Sequence, residues 1–129
     1  MVLPKTVFIY LSMRLSWNLQ LVLLISVTLS SCSYHEVKKE APEINEIPAN
    51  SKFTIILPED HTTGYLWQLK QDYDKTVISQ INEVWHGNNR GIYFNINALS
   101  AGQTTLTFVS RMYQDTAVVK FYIVKIQGH

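Results

Sequence analysis

From Lys52 onward, apolar residues recur at every second position within short stretches, and no stretch repeats them at helical spacing. Period two is the spacing of a strand with one face buried, so this chain is constrained to sheets. Phe53, Ile55 and Leu57 alternate with Thr54 and Ile56 until Pro58 stops the strand. Tyr65, Trp67 and Leu69 alternate with Leu66, Gln68 and Lys70 in a second strand, and the β-branched stretch Thr76 to Trp85 predicts a third. Ile92, Phe94, Ile96 and Ala98 mark a fourth, and Leu106 and Phe108 anchor a fifth after a Ser100-Ala101-Gly102 turn. In the last, Ala117, Val119, Phe121 and Ile123 alternate with Val118, Lys120, Tyr122 and Val124.

Short strands joined by turn signals, with no crossover helix, predict an all-β fold: an immunoglobulin-like antiparallel β-sandwich over residues 52–127. Trp67, Trp85 and the tyrosines fit core and edge packing at strand spacing better than a ligand box.

The front of the chain has a different character. Leu19 to Leu29 is an apolar run preceded by Lys5 and Arg14, with no acidic residue before Glu36, which is the layout of a secretory signal. It is short for a membrane span. It closes on Leu29-Ser30-Ser31-Cys32, which resembles the bacterial lipobox, and Cys32 is the chain's only cysteine. Residues 1–31 are therefore expected to be a lipoprotein signal peptide, starting at Met1 or Met13, with lipid on Cys32. Acyl chains contribute about 0.8 kcal/mol per buried methylene, enough for several to hold a domain at a bilayer. Residues 32–51, rich in charge and proline (Lys38, Lys39, Glu40, Pro42, Glu43), read as the lipidated cysteine and a flexible tether, with Ile44 to Ile47 able to add a short edge strand. The expected location is the cell envelope of a bacterium, anchored in the outer membrane in preference to the inner, facing periplasm or exterior.

Without residues 1–31 the chain has nine basic and ten acidic residues, which argues against nucleic acid as a partner. Catalytic constellations are missing. Asp60-His61-Thr62-Thr63 has the residue types of a nucleophile and base, but in consecutive positions, where a shared hydrogen-bond line does not form. His35, His61, His86 and His129 lack metal-ligand spacing, so neither metal nor cofactor is expected. The chain reads as a monomeric binding protein and not as an enzyme.

Asp60-His61-Thr62-Thr63-Gly64-Tyr65-Leu66-Trp67 resembles the Asn-Pro-Thr-Thr-Gly-Tyr/Phe-x-Trp motif of the chagasin family, immunoglobulin-like inhibitors of papain-type cysteine proteases. Gly87-Asn88-Asn89-Arg90-Gly91 falls where that family has Gly-x-Gly-Gly, and Arg111-Met112-Tyr113 where it has Arg-Pro-Trp. His61 replaces the proline, Asn89 and Arg90 replace two glycines, and Met112 and Tyr113 replace Pro-Trp. The resemblance implies that three loops at one pole form a wedge occluding the cleft of a papain-family protease, reversibly and without covalent chemistry. It implies protease contacts from Asp60 to Tyr65, from Gly87 to Gly91, and from Arg111 to Tyr113. Gly64 is expected at positive φ, with Thr62 and Thr63 offering small hydroxyl groups to the target. Asn88 and Asn89 are expected to tolerate left-handed backbone in place of the missing glycines. Arg90 fits either a solvated side chain or a contact to an acidic rim. A second reading stands beside inhibition: an immunoglobulin-like structural or adhesive envelope lipoprotein that keeps the fold without the activity.

Overall fold

A computed structural model describes residues 34–128. The signal segment and Cys32 lie outside the described residues. Every described element is a strand: β1 (His35–Glu36), β2 (Ile44–Pro48), β3 (Lys52–Leu57), β4 (Leu66–Leu69), β5 (Ile78–Trp85), β6 (Ile92–Ala98), β7 (Gly102–Met112) and β8 (Asp115–Gln127). They form two four-stranded sheets, ordered β1-β3-β6-β5 and β2-β8-β7-β4. The expected all-β sandwich is what the chain forms. Its inner pairings are antiparallel, and two edge pairings, β1 with β3 and β2 with β8, are parallel.

The core follows from the alternation. Phe53, Ile55 and Leu57 of β3 and Ile92, Phe94, Ile96 and Ala98 of β6 face Trp67 and Leu69 of β4, Leu106 and Phe108 of β7, and Tyr122, Val124 and Ile126 of β8. Phe94 meets Phe108 edge-on at 4.8 Å between ring centroids, and Phe108 meets Tyr122 at 5.6 Å and 88°. Each such side chain contributes about 1.5–3 kcal/mol when fully buried, and the edge-on geometry adds to that.

Two features refine the reading of the sequence. The segment expected to be a tether belongs in part to the domain: β2 runs beside β8 from Ile44↔Ile123 to Pro48↔Gln127, and Val37 and Ile47 are buried in the core. Its charged residues all point to water, so a few apolar residues at the right parity suffice to dock it. Asn45 is buried too, and its amide donates to the carbonyls of Lys39 and Ile123 at 2.8 and 3.1 Å. In β8 both rows are apolar, and the row Tyr122, Val124, Ile126 lies inside while Val119 and Phe121 stay exposed.

The register fixes where the loops emerge. Ile92 pairs with both Leu57 and Trp85, so the β3–β4 connection and the β5–β6 hairpin spring from one rung of the first sheet. Leu66 pairs with Arg111, so the same β3–β4 connection lands beside the tip of the β7–β8 hairpin.

Candidate functional site

Pro58 ends β3, and Glu59 turns its carboxylate inward, with only 2% of the side chain exposed. Its Oε1 accepts the backbone N–H of Trp67 at 2.7 Å, and its Oε2 is hydrogen-bonded to His61 Nε2 at 2.9 Å. Asp60 begins a tight turn. Its Oδ1 accepts both the amide and the hydroxyl of Thr62, at 2.9 and 2.7 Å. The Thr62 hydroxyl and then its amide hold the Asp60 carboxyl below its ordinary value of 3.8. The Thr63 hydroxyl donates to the Asp60 carbonyl at 2.8 Å and accepts from the Tyr65 amide at 3.3 Å. Both threonine hydroxyls are thus engaged within the loop, shaping it, while the side chains from Asp60 to Thr63 remain exposed. Gly64 has φ 80°, as expected for its turn.

In the second loop the left-handed positions are Gly87 (φ 103°) and Gly91 (φ 85°), and neither Asn88 nor Asn89 takes one. The two glycines already supply the reversals, with the Arg90 and Gly91 amides donating to the Gly87 carbonyl and the His86 amide to that of Gly91. Asn88 instead joins the second loop to the first, its Oδ1 accepting the His61 amide at 3.0 Å. Arg90 is exposed and makes no ion pair among the described residues.

The third segment is a hairpin tip. Met112 pairs with Asp115, leaving Tyr113 and Gln114 as the turn, and Tyr113 is 96% exposed with φ 56°. A Cβ at Gly64 would stand 3.2 Å from Met112 Sδ, so the first loop rests on the third as well. Arg111 is partly buried, its Nε without a hydrogen-bond partner. Gly64, Leu66, Gln68, Arg111, Met112 and Tyr113 line a groove of about 460 Å³. A larger one, about 770 Å³, runs between the edges of β4 and β5 and holds none of the residues singled out from sequence.

All three expected segments therefore lie at one end of the sandwich and touch one another through His61–Asn88 and Gly64–Met112. Exposed Leu66 and Trp85 stand at the strand ends from which these loops emerge. Sequence reasoning gave Glu59 no role and read Trp85 as packing. The His61 ring in fact stacks on Trp85, centroids 3.8 Å apart and planes 11° from parallel. Nothing in the local sequence announces a buried carboxylate at position 59.

Two packed sheets that present three loops at one end, the first resting on both others, place the protein in the loop-presenting immunoglobulin-like class. Residues 46–126 match the model of the chagasin family of peptidase inhibitors, I42. The chain belongs to the chagasin family of cysteine peptidase inhibitors and is not an enzyme. Its fold is similar to that of the cysteine protease inhibitor EhICP2 from Entamoeba histolytica, with a TM-score of 0.62 and 20% identity over 73% of this chain and 95% of that one. It is also similar to the solution structure of amebosin, with a TM-score of 0.51 and 15% identity over 74% of this chain and all of that one. No curated protein sequence matches the chain.

Proposed function

We propose that the three loops enter the active-site cleft of a papain-like cysteine protease as one wedge and block it reversibly. The observation that carries this reading is the bracing of the first loop by both others, through the His61 amide on Asn88 and Gly64 on Met112. Loops ordered before docking lose little entropy on binding, so an interface of about 800 Å² per partner can be tight without a covalent bond. Exposed Thr62, Thr63 and Gly64 form the narrow front of the wedge, with Tyr113 as an aromatic contact to one side. Since Pro58-to-Tyr65 is a closed turn and not an extended strand, the protease has no peptide in substrate geometry to cut. The test is a titration of the purified protein against a panel of papain-like proteases. Competitive inhibition of at least one supports the wedge, and micromolar protein without effect on any of them favours the non-inhibitory reading.

We further propose, from the sequence alone, that Cys32 carries lipid and tethers the domain to a bacterial envelope membrane. Intact-mass measurement of the membrane fraction tests this. Cys32→Ala should lack the added acyl mass, and an unmodified Cys32 in the parent would refute it.

A further inference from the structure

Beyond the bonds that Asp60, Thr62 and Thr63 make among themselves, the first loop is restrained through His61 by two residues outside the turn, Glu59 and Trp85. His61 is held in three ways at once: its ring face lies on Trp85, its ring edge bonds buried Glu59, and its backbone amide donates to Asn88. The restraints are themselves fixed. Trp85 Nε1 donates to the Glu59 carbonyl at 3.1 Å, Glu59 Oε1 accepts from the Trp67 amide, and Trp67 Nε1 donates to the Pro58 carbonyl at 2.7 Å. The circuit closes on β4 and β5, two strands of different sheets.

We propose that Glu59, His61 and Trp85 form a clamp that sets the docking conformation of the first loop, so that Glu59 and Trp85 are positioning residues of the inhibitor. This rests on the three-loop reading above. The position of His61 is a proline in the motif the chain resembles, and a proline ring restricts its backbone covalently. Here the restriction is imposed by contacts. Glu59 Oε1 has the Trp67 amide and Oε2 has only His61, and leaving a buried carboxylate oxygen without a partner is costly, which keeps Glu59 bonded to His61 and the clamp shut. Without the clamp, the loop must be ordered at the moment of docking, and that ordering weakens binding.

The test compares the parent protein with Trp85→Ala, Trp85→Phe, Glu59→Ala and Glu59→Gln. Two quantities are measured: papain inhibition, and amide hydrogen exchange across residues 60–65 in the free protein. Trp85→Ala and Glu59→Ala should weaken inhibition by about tenfold and speed exchange in the loop while β3 and β6 stay protected. Trp85→Phe keeps a ring under His61, Glu59→Gln keeps an acceptor for Trp67, and both should return inhibition to within about threefold of the parent. Unchanged loop exchange in Trp85→Ala overturns the clamp, even if inhibition falls, because Trp85 is then a direct contact. If Glu59→Ala unfolds, the two Trp85 variants decide alone, since Trp85 is 41% exposed and outside the core. If the parent inhibits no papain-like protease, the wedge reading fails, and the exchange measurement still decides the clamp.

Discussion

Gly91 passes so close to the carbonyl oxygen of Leu57 that a side chain at Gly91 has no room, and Leu57 is the last residue of β3 before the first loop begins. The end of the second loop is thereby pressed against the root of the first. Gly91 also has φ 85°, a region that L-residues enter at a penalty of about 1–2 kcal/mol. Gly91→Ala combines that penalty with a backbone clash and should destabilise the domain by about 2–4 kcal/mol. Gly87→Ala has the backbone penalty alone, because nothing lies within 4 Å of its absent Cβ, and should stay near 1 kcal/mol. Thermal unfolding of the two variants, at about 4–8 °C per kcal/mol for a domain of this size, separates them. Equal shifts would show that the contact with Leu57 carries no weight.

Thr62→Arg and Thr63→Arg place a long cation at the narrow front of the proposed wedge. Both positions are exposed and each variant gives up the hydroxyl bonds that shape the turn, so the free energy of unfolding should fall by no more than about 1.5 kcal/mol. Inhibition of papain-like proteases should fall by at least about a hundredfold, since an arginine there separates surfaces that must touch. Undiminished inhibition by both variants removes the first loop from the interface.

Most of the sandwich was legible in the sequence because alternation, clean in β6 and interrupted only by Ile56 in β3, leaves one assignment of faces for these strands. β8 was ambiguous in its faces, since Val119 and Phe121 form as apolar a row as Tyr122 and Val124, and only packing against Phe108 decides between them. The strand β2 was legible only as an option, because its inward face carries Asn45 and Ile47 while Ile44 points outward. At the site, the contact segments follow from motif order, whereas Glu59 and Trp85 act through bonds between residues 26 apart in the chain, which no local pattern encodes.

Tyr113 has positive φ at a position where glycine is the unstrained choice, and its ring projects almost wholly into solvent. Strained backbone held beneath an exposed aromatic residue is expected where the side chain contributes to binding. Tyr113→Gly should therefore hold or raise stability, by up to about 1 kcal/mol, while weakening protease inhibition by about tenfold or more. A calorimetric scan and an inhibition titration on the same sample check both halves. Lower stability with intact inhibition would mean that the ring serves the hairpin and not the interface.

Asp60 and Asp74 make the same turn at different places: each Oδ1 accepts the hydroxyl and amide of a threonine two residues on, Thr62 and Thr76. These bonds, the threonine hydroxyl first, hold both carboxyls below the ordinary 3.8. A depressed carboxyl contributes order that is complete above its unfolded value and is lost as pH falls through its lower folded value. Both turns should accordingly persist down to pH 3.8 and open only in more acidic solution. Side-chain carboxyl titration by NMR should give midpoints below 3.8 for both residues. The two part company in function. Asp74 precedes β5 at the end opposite the loops, with its amide bonded to Thr104, whereas Asp60 shapes the first loop. Asp60→Ala should weaken inhibition at neutral pH and Asp60→Asn, which keeps an acceptor oxygen, should restore most of it, while Asp74→Ala leaves inhibition at the parent level. Equal loss in the Asp60→Ala and Asp74→Ala variants would trace the effect to general loosening of the domain and not to the shape of the first loop.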